Sequence, residues 1–406
     1  MRSLHILLDD LLQARFYSGF VGYANNSNNI NVFFYTAKIT VYIYIKYINK
    51  YESIKLITRG KEKLELDVDL RDTISYLNGK QSIDSAISNY NAVYAWLHSN
   101  VNIDVAGQKH IAIVFNGAYV TGRAFSKYFS SIGAKTLFSE ISNLPGKMIY
   151  DCKGVNAQSY LHEKPTILDH FDVNEKRLLD EHNRFLQSYL EYKETPPMQS
   201  KLGIIWFLPM IFDHVFVKFL GVMEDDRSFI SKVKYYFEKR KVKSLNINCK
   251  TVSLEQPYAF YPTQVSSDTQ LKLNSDIDNI EALEHIISNY DERVLVKVHP
   301  AETDLETIKK YESLEQSGHI TLVSNNTLDL IKNSRVNFTI NSTVGLESKI
   351  LGKKTVTLGR AIYSNLSTRN LHKYLHCYLV DLEFFAIAKV DDAIIDKLFF
   401  LSEIKE

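Results

Sequence analysis

The stretch from Arg293 to Tyr363 constrains the fold most, because its apolar runs alternate strand, loop, helix, strand, loop, helix, strand. Short runs rich in β-branched residues, separated by amphipathic segments of helical length, are the pattern of βαβ units and a parallel sheet. The run Val294–Val298 ends on His299 and Pro300, and the run Val336–Ile340 leads into Asn341, Ser342 and Thr343. Gly352 then stops a short helix, and Lys354–Leu358 leads to Gly359. In an open parallel sheet, ligands bind outside the carboxyl ends of the strands. Both polar clusters are therefore predicted to lie on one ligand-binding edge. Ser342 and Thr343 also open a helix, whose free N–H groups and dipole favour an anion such as a nucleotide phosphate.

The rest of the chain carries the same alternation. Helical spacing covers 83–99, 125–132, 277–289, 303–315 and 327–332, and apolar runs at 111–115, 135–138 and 320–323 predict strands. Residues 1–30 read as mixed, and 31–50 as buried strand or helix, since Lys38 and Lys46 interrupt it too often for a membrane span. At 406 residues, two domains are expected. An N-terminal α/β domain spans 1–196, closed by Pro196 and Pro197 after the charged amphipathic helix 172–193. A connecting segment follows over 197–255, then a Rossmann-like domain over 256–365 and a helical tail over 366–406 that packs back on the first domain. In the connecting segment, apolar Leu202–Met223 precedes basic and aromatic Lys232–Lys250; the pair reads either as an anionic membrane contact or as a core helix followed by a solvated one.

Charge narrows the function. With 48 basic and 47 acidic residues the net charge is +1, which gives no global attraction to nucleic acid. Cys152, Cys249 and Cys377 lack paired or metal-ligand spacing, as expected in a reducing compartment such as the cytoplasm. Met1–Asp10 is a poor signal peptide, having no long apolar core. There is no GxGxxG and no Walker A loop, which argues against a dinucleotide oxidoreductase and a P-loop NTPase.

Individual residues then become candidates. His299, directly after a buried strand, suits donation to a phosphate or a base edge. Asn341, Ser342 and Thr343 suit phosphate binding, and equally plain helix capping. Glu347, one turn in, could reach ribose hydroxyls or serve the helix dipole. Glu140 and Asp151 fall in or beside loops after strands, where a catalytic carboxylate belongs; Asp151 can also cap the turn before Gly154. Two DxD triplets, Asp67–Asp69 and Asp276–Asp278, read better as surface charge and a helix start than as metal ligands, so no metal site is expected.

Four separated motifs in order resemble the capsule polysaccharide biosynthesis family, whose best-known members are β-Kdo glycosyltransferases. They are Tyr261–Gln270, Val298–Pro300, Thr339–Gly345 with Gly359 and Tyr363, and Asp151–Ser159 with its Gly154-Val155-Asn156-Ala157 core. The last resembles in particular the single-module enzymes of the capsule lipid linker. The resemblance covers roughly 110–365. It implies a GT-B architecture, two Rossmann-like α/β domains with parallel sheets facing a cleft, the N-terminal one on the acceptor side and the C-terminal one holding the nucleotide sugar. It implies transfer of Kdo from CMP-Kdo to a lipid-linked or oligosaccharide acceptor with retention, without metal or cofactor, the CMP-sugar being the donor substrate.

By the same resemblance, His299 with Pro300 and Ser342 with Thr343 match the nucleotide and phosphate motifs, and Gln264 and Asp268 match a loop facing the cleft. Asp151 matches the proposed nucleophile and Glu140 the acid/base. One departure stands out: the acidic-Gly pattern of the family reads Glu140-Ile141-Ser142-Asn143 here, without the Gly. The implied partners are a nucleotide-sugar donor and a glycan or glycolipid acceptor; a cytoplasmic protein is expected, at the inner membrane where the apolar and basic segment is read as an anionic membrane contact. The rivals are a transferase using CMP-sialic acid or a UDP-sugar, and a non-catalytic capsule assembly factor.

Overall fold

The computed structural model describes residues 2–404 except 28, 61–65, 104–106, 143, 195–206, 223, 229, 232–233 and 235–246. The double proline at 196–197 and most of the basic run 232–250 therefore lie outside the described residues. The chain divides into two compact units. One comprises Met1–Asp172, Gln199–Arg227 and Lys373–Glu406, the other Val173–Met198 and Ser228–His372.

The first unit is built on β1 (Arg2–Leu7), β2 (Ile30–Thr36), β3 (Ile54–Leu56), β4 (Lys109–Phe115), β5 (Lys135–Ile141) and β6 (Lys147–Asp151). The second is built on β7 (Ala259–Pro262), β8 (Val294–Lys297), β9 (Thr321–Leu322), β10 (Val336–Thr339) and β11 (Thr355–Thr357), and β12 (Val380–Asp381) returns to the first. The first sheet has the order β12-β6-β5-β4-β1-β2-β3 and the second β11-β10-β7-β8-β9. β1 to β5 pair in parallel, as do all five strands of the second sheet. The α/β class with two parallel-rich sheets is the one expected.

Three elements differ from the sequence reading. The segment read as mixed at the N-terminus contains β1, the strand between β4 and β2, followed by the helix Leu11–Asn26. Its period is masked by His5, a polar residue that is nevertheless buried. His5 Nδ1 lies 3.2 Å from the Tyr35 hydroxyl and Nε2 3.1 Å from His110 Nδ1. Burial, with His110 and Lys55 nearby, lowers its pKa to about 3 and keeps the ring neutral. Second, residues 31–50 are strand and then helix, Ile39–Ile43 running on into a π-helical turn at Tyr44–Ile48. Third, β6 is antiparallel to β5, so Lys135–Asp151 is a hairpin and not another crossover. The tail carries a helix at Thr368–Lys373, a π-helical turn at Tyr374–Tyr378 and a helix at Asp392–Glu403; β12 pairs antiparallel with β6, and from Lys373 on the tail belongs to the first unit.

Local chemistry sets the helix boundaries. Asp278 accepts from the Ile280 and Glu281 amides while Glu281 returns a bond to the Asp278 amide, a capping box that opens Asn279–Asn289. Asp304, Asn326 and Ser342 cap Leu305–Gln316, Thr327–Asn333 and Thr343–Ile350. Gly352 follows the last of these at φ +67°, a backbone that Gly adopts without a Cβ clash. The second DxD triplet is accounted for here: Asp278 is the cap and Asp276 pairs with Arg360 at 2.6 Å.

Candidate functional site

In each sheet the chain runs outward along one side and then crosses back. The second sheet reverses between β7 and β10, so its switch point lies between the loops after those strands. Gln264 and Asn341 fill it. Gln264 Nε2 donates to Asn341 Oδ1 at 2.8 Å, and the Asn341 amide donates to Gln264 Oε1 at 3.0 Å. Asn341 Nδ2 donates further to the Gln270 and Asn274 carbonyls, and Asn279 holds the Gln264 backbone through both its N–H and its carbonyl. Both side chains are buried. Their amides are spent on fixing the two loops, so Gln264 and Asn341 are positioning residues.

His299 ends the neighbouring strand. Its amide donates to Thr263 Oγ1, and its Nδ1 accepts from the Ala301 amide at 3.1 Å. An Nδ1 that accepts places the ring proton on Nε2. Partial desolvation lowers the His299 pKa, opposed by Asp268 and Glu302, so the neutral Nε2–H tautomer is the donor that a phosphate or base carbonyl would meet. His299 and Pro300 are exposed. β7 lies between β8 and β10, so His299 stands roughly 10 Å from the switch-point loop of β10, a nucleotide-sized span.

Ser342 accepts from the Val344 amide at 3.3 Å, so it caps the helix, and the Gly345 amide donates to its carbonyl. First-turn N–H groups otherwise have no intrahelical partner, which leaves the Thr343 amide and hydroxyl suited to an anion. Asp268 caps a single-turn helix by accepting from Gln270. Glu347 is buried and its Oε1 accepts from Lys193 Nζ at 2.6 Å. In this arrangement it neutralises Lys193, a partner that the sequence pattern did not flag. Glu302 was missed as well: buried, it accepts from the Thr303 and Asp304 amides and from the Ser266 amide and hydroxyl, tying together the loops after β7 and β8.

The first sheet reverses between β1 and β4. The loops there carry Asp9, Asp10 and Tyr119, and Glu140 lies at the carboxyl edge of β5, one residue beyond the pair Phe115 and Ser139. Glu224 reaches the same edge, accepting from the Thr121 amide at 2.8 Å and from the Thr121 hydroxyl at the start of the helix Val120–Ser131. Burial, then Glu224 and Asp10, push the Asp9 carboxyl up to about 7, against Lys38 and Gln13. Burial, then Asp9, Glu224, Asp10 and Glu140, push the Tyr119 phenol up to about 12. The shared field around Tyr119 shows that the fold gathers these acids. Carboxylates whose environment separates their protonation are the signature of acid/base chemistry. Asp9 was missed because β1 was not legible as a strand.

Asp151 lies two residues back along the sheet from Glu140. The antiparallel β6 pairs it with Phe138, carrying it back from the carboxyl edge. It is 2% exposed. Its Oδ1 accepts from the amides of Lys153, Gly154 and Tyr160 at 2.8, 3.2 and 2.8 Å. Its Oδ2 accepts from the Leu161 amide at 3.2 Å and the Tyr378 hydroxyl at 2.7 Å. Five donors enclose the group and hold the Gly154–Ala157 turn. The geometry thus points away from the nucleophile role expected of Asp151 and toward the turn-capping one. Among the described residues, no group of three or more His, Cys, Asp or Glu side chains converges to hold a metal ion.

Residues 211–370 match the family described as capsule polysaccharide biosynthesis protein. Protein FixF of Sinorhizobium fredii is 34% identical over 125 residues, which is 28% of this chain and spans only 29% of that protein's length. Among solved structures, the KpsC β-Kdo 2,7-transferase of Thermosulfurimonas dismutans aligns over 99% of this chain and 100% of that chain at 12% identity, with a TM-score of 0.45. The KpsC β-Kdo 2,4-transferase of the same organism aligns over 72% and 88% at 13% identity, with a TM-score of 0.43. The stretch that holds β7 to β11, His299 and the Ser342 helix start thus matches the capsule polysaccharide biosynthesis family, the one that its motifs resemble.

Proposed function

We propose that the protein is a glycosyltransferase of capsule polysaccharide assembly, transferring Kdo from CMP-Kdo to a lipid-linked or oligosaccharide acceptor with retention. The observation that carries this reading is the family match over 211–370, because it brackets the switch-point loops and the helix start suited to a phosphate. The single phosphate of CMP sits on the Thr343 amide and hydroxyl, with the His299 Nε2–H as a second donor. Gln264, Asn341 and Glu302 keep these loops in place, and Asp268 caps beside them.

Retention requires one carboxylate to attack the anomeric carbon and another group to shuttle the acceptor proton. A pKa near neutrality suits a group that gives up and takes a proton at physiological pH, which makes Asp9 the acid/base. Glu140, on the same carboxyl edge, is then the attacking carboxylate. The reading needs no cofactor beyond the donor.

The test is a thermal-shift panel of CMP, UMP, UDP, GDP and ADP, followed by CMP release from CMP-Kdo with glycan and glycolipid acceptors. A ligand at about a hundred times its dissociation constant stabilises by roughly 2.7 kcal/mol. A selective response to CMP that weakens about tenfold in His299→Ala, losing about 1.4 kcal/mol of binding, is the expected result. A selective response to UDP overturns the donor. Folded protein that binds CMP but releases none from CMP-Kdo with a proven acceptor overturns the enzyme.

A further inference from the structure

The first unit carries two neighbouring helices whose outward faces are apolar. Phe207–Phe219 packs on Ile39–Ile43, and Asp213 ties them together by accepting from the Thr40 amide at 3.0 Å and its hydroxyl at 2.7 Å. Asp213 and Val217, one turn apart, are on the inward side of the longer helix, and Val217 is buried. The opposite side presents Ile211, Phe212, Val215 and Phe219 at helical spacing, with Phe212 65% and Phe219 75% exposed. The shorter helix repeats the division. Val41 and Ile45 are buried, whereas Ile43, Tyr47 and Ile48 are open, Tyr47 at 63% and Ile48 at 65%. Single exposed apolar residues need no explanation, but stripes on two adjoining helices do.

Lysines predominate among the charges around the stripes. Lys218 lies beside Val215 and Phe219 on the helix surface, and Lys50 follows Ile48; neither has an ion-pair partner among the described residues. Lys46 stacks over Tyr42 and Tyr47, with Glu52 3.8 Å away at the margin. The acids of the adjoining segment are turned away. Glu224 is taken by Thr121, Asp226 by Ser82 and Ser85, and Asp225 by Arg227. Apolar and aromatic side chains with a lysine rim are the composition of a helix that lies in the plane of an anionic bilayer surface. Among the described residues no helix is long and apolar enough to cross a membrane.

We propose that Ile43–Ile48 and Ile211–Leu220 together form a docking face for an anionic lipid surface, the phenyl rings entering the acyl boundary and Lys46, Lys50 and Lys218 meeting lipid phosphates. The basic run 232–250 is not required. The proposal does not rest on the donor assignment, and its test needs no turnover.

The test is flotation of the full chain with vesicles of phosphatidylcholine alone and of phosphatidylcholine mixed with phosphatidylglycerol. Wild-type protein should float with the mixed vesicles and much less with the neutral ones. Phe212→Ser with Phe219→Ser should lower binding at least tenfold. Lys50→Gln with Lys218→Gln should lower it about 25-fold, each charge near the surface being worth about fivefold. All four positions are exposed, so the variants should keep the wild-type melting temperature. The proposal is overturned if wild-type protein does not bind mixed vesicles, or if the phenylalanine pair binds unchanged. A dimer in sedimentation that the phenylalanine pair dissolves, without vesicle binding, would assign the face to a second copy instead.

Discussion

Asp151→Asn separates two readings of one residue. The amide keeps an oxygen where Oδ1 accepts from Lys153, Gly154 and Tyr160, and places an NH2 where Oδ2 accepts from Leu161 and Tyr378. The Tyr378 hydroxyl can rotate and accept from that NH2. The Leu161 amide cannot adapt and loses its partner inside the fold, at a cost of about 1–3 kcal/mol. The three surviving backbone bonds weaken from charge-assisted to neutral, by roughly 0.5–1 kcal/mol each. Removal of a buried charge returns part of its desolvation cost, so the net expectation is a loss of about 2–4 kcal/mol. For a unit of this size that is a fall in melting temperature of roughly 5–15 °C. The assay is thermal unfolding beside CMP binding and donor turnover. The structural reading predicts a destabilised protein that still binds CMP, with turnover per folded molecule recovering at low temperature. An Asp151→Asn protein with wild-type melting temperature and no turnover would refute it and restore Asp151 as the nucleophile.

Two further expectations concern the two sheets. Asp9, raised from an ordinary carboxyl value to about 7 by burial and its acidic neighbours, binds its proton more tightly when folded. Its contribution to stability is therefore full below about pH 4 and is lost as pH rises toward 7, so Asp9→Asn should stabilise the protein at pH 8 by a few kcal/mol and abolish the turnover inflection near neutrality; unchanged unfolding curves and pH profile would remove Asp9 from the site. Gly345→Ala would set a methyl group 2.5 Å from Thr339 Cγ2 and closer still to the Tyr363 hydroxyl, which donates to the Ser342 carbonyl. It should push Tyr363 off the helix start and weaken CMP binding at least tenfold in a thermal-shift titration, whereas wild-type affinity would show that this packing does not shape the phosphate site.

The second unit was far more legible than the first. Its strands obey one period, its helices begin on Asp278, Asp304, Asn326 and Ser342, and Gly352 ends the last, so element positions were readable within a few residues. Such features depend on side chains bonding amides two or three residues away, and sequence spacing reports that directly. The same spacing placed His299 and Ser342 on one edge of a parallel sheet. It could not show that Gln264 and Asn341 bond each other, nor that Glu347 meets Lys193.

What sequence alone determined, then, is the α/β class, the run of elements in 277–358 and the residue types at strand ends. Tertiary structure alone decided which strand ends share an edge. The antiparallel direction of β6 set Asp151 opposite Phe138, two residues back along β5 from Glu140. The placement of β1 between β4 and β2 brought Asp9 to a switch point, despite a polar His5 whose burial is tolerable through partners 30 and 105 residues away. Strand direction, strand neighbours and the protonation of buried groups are settled by packing between segments far apart in the chain, where local periodicity carries no information.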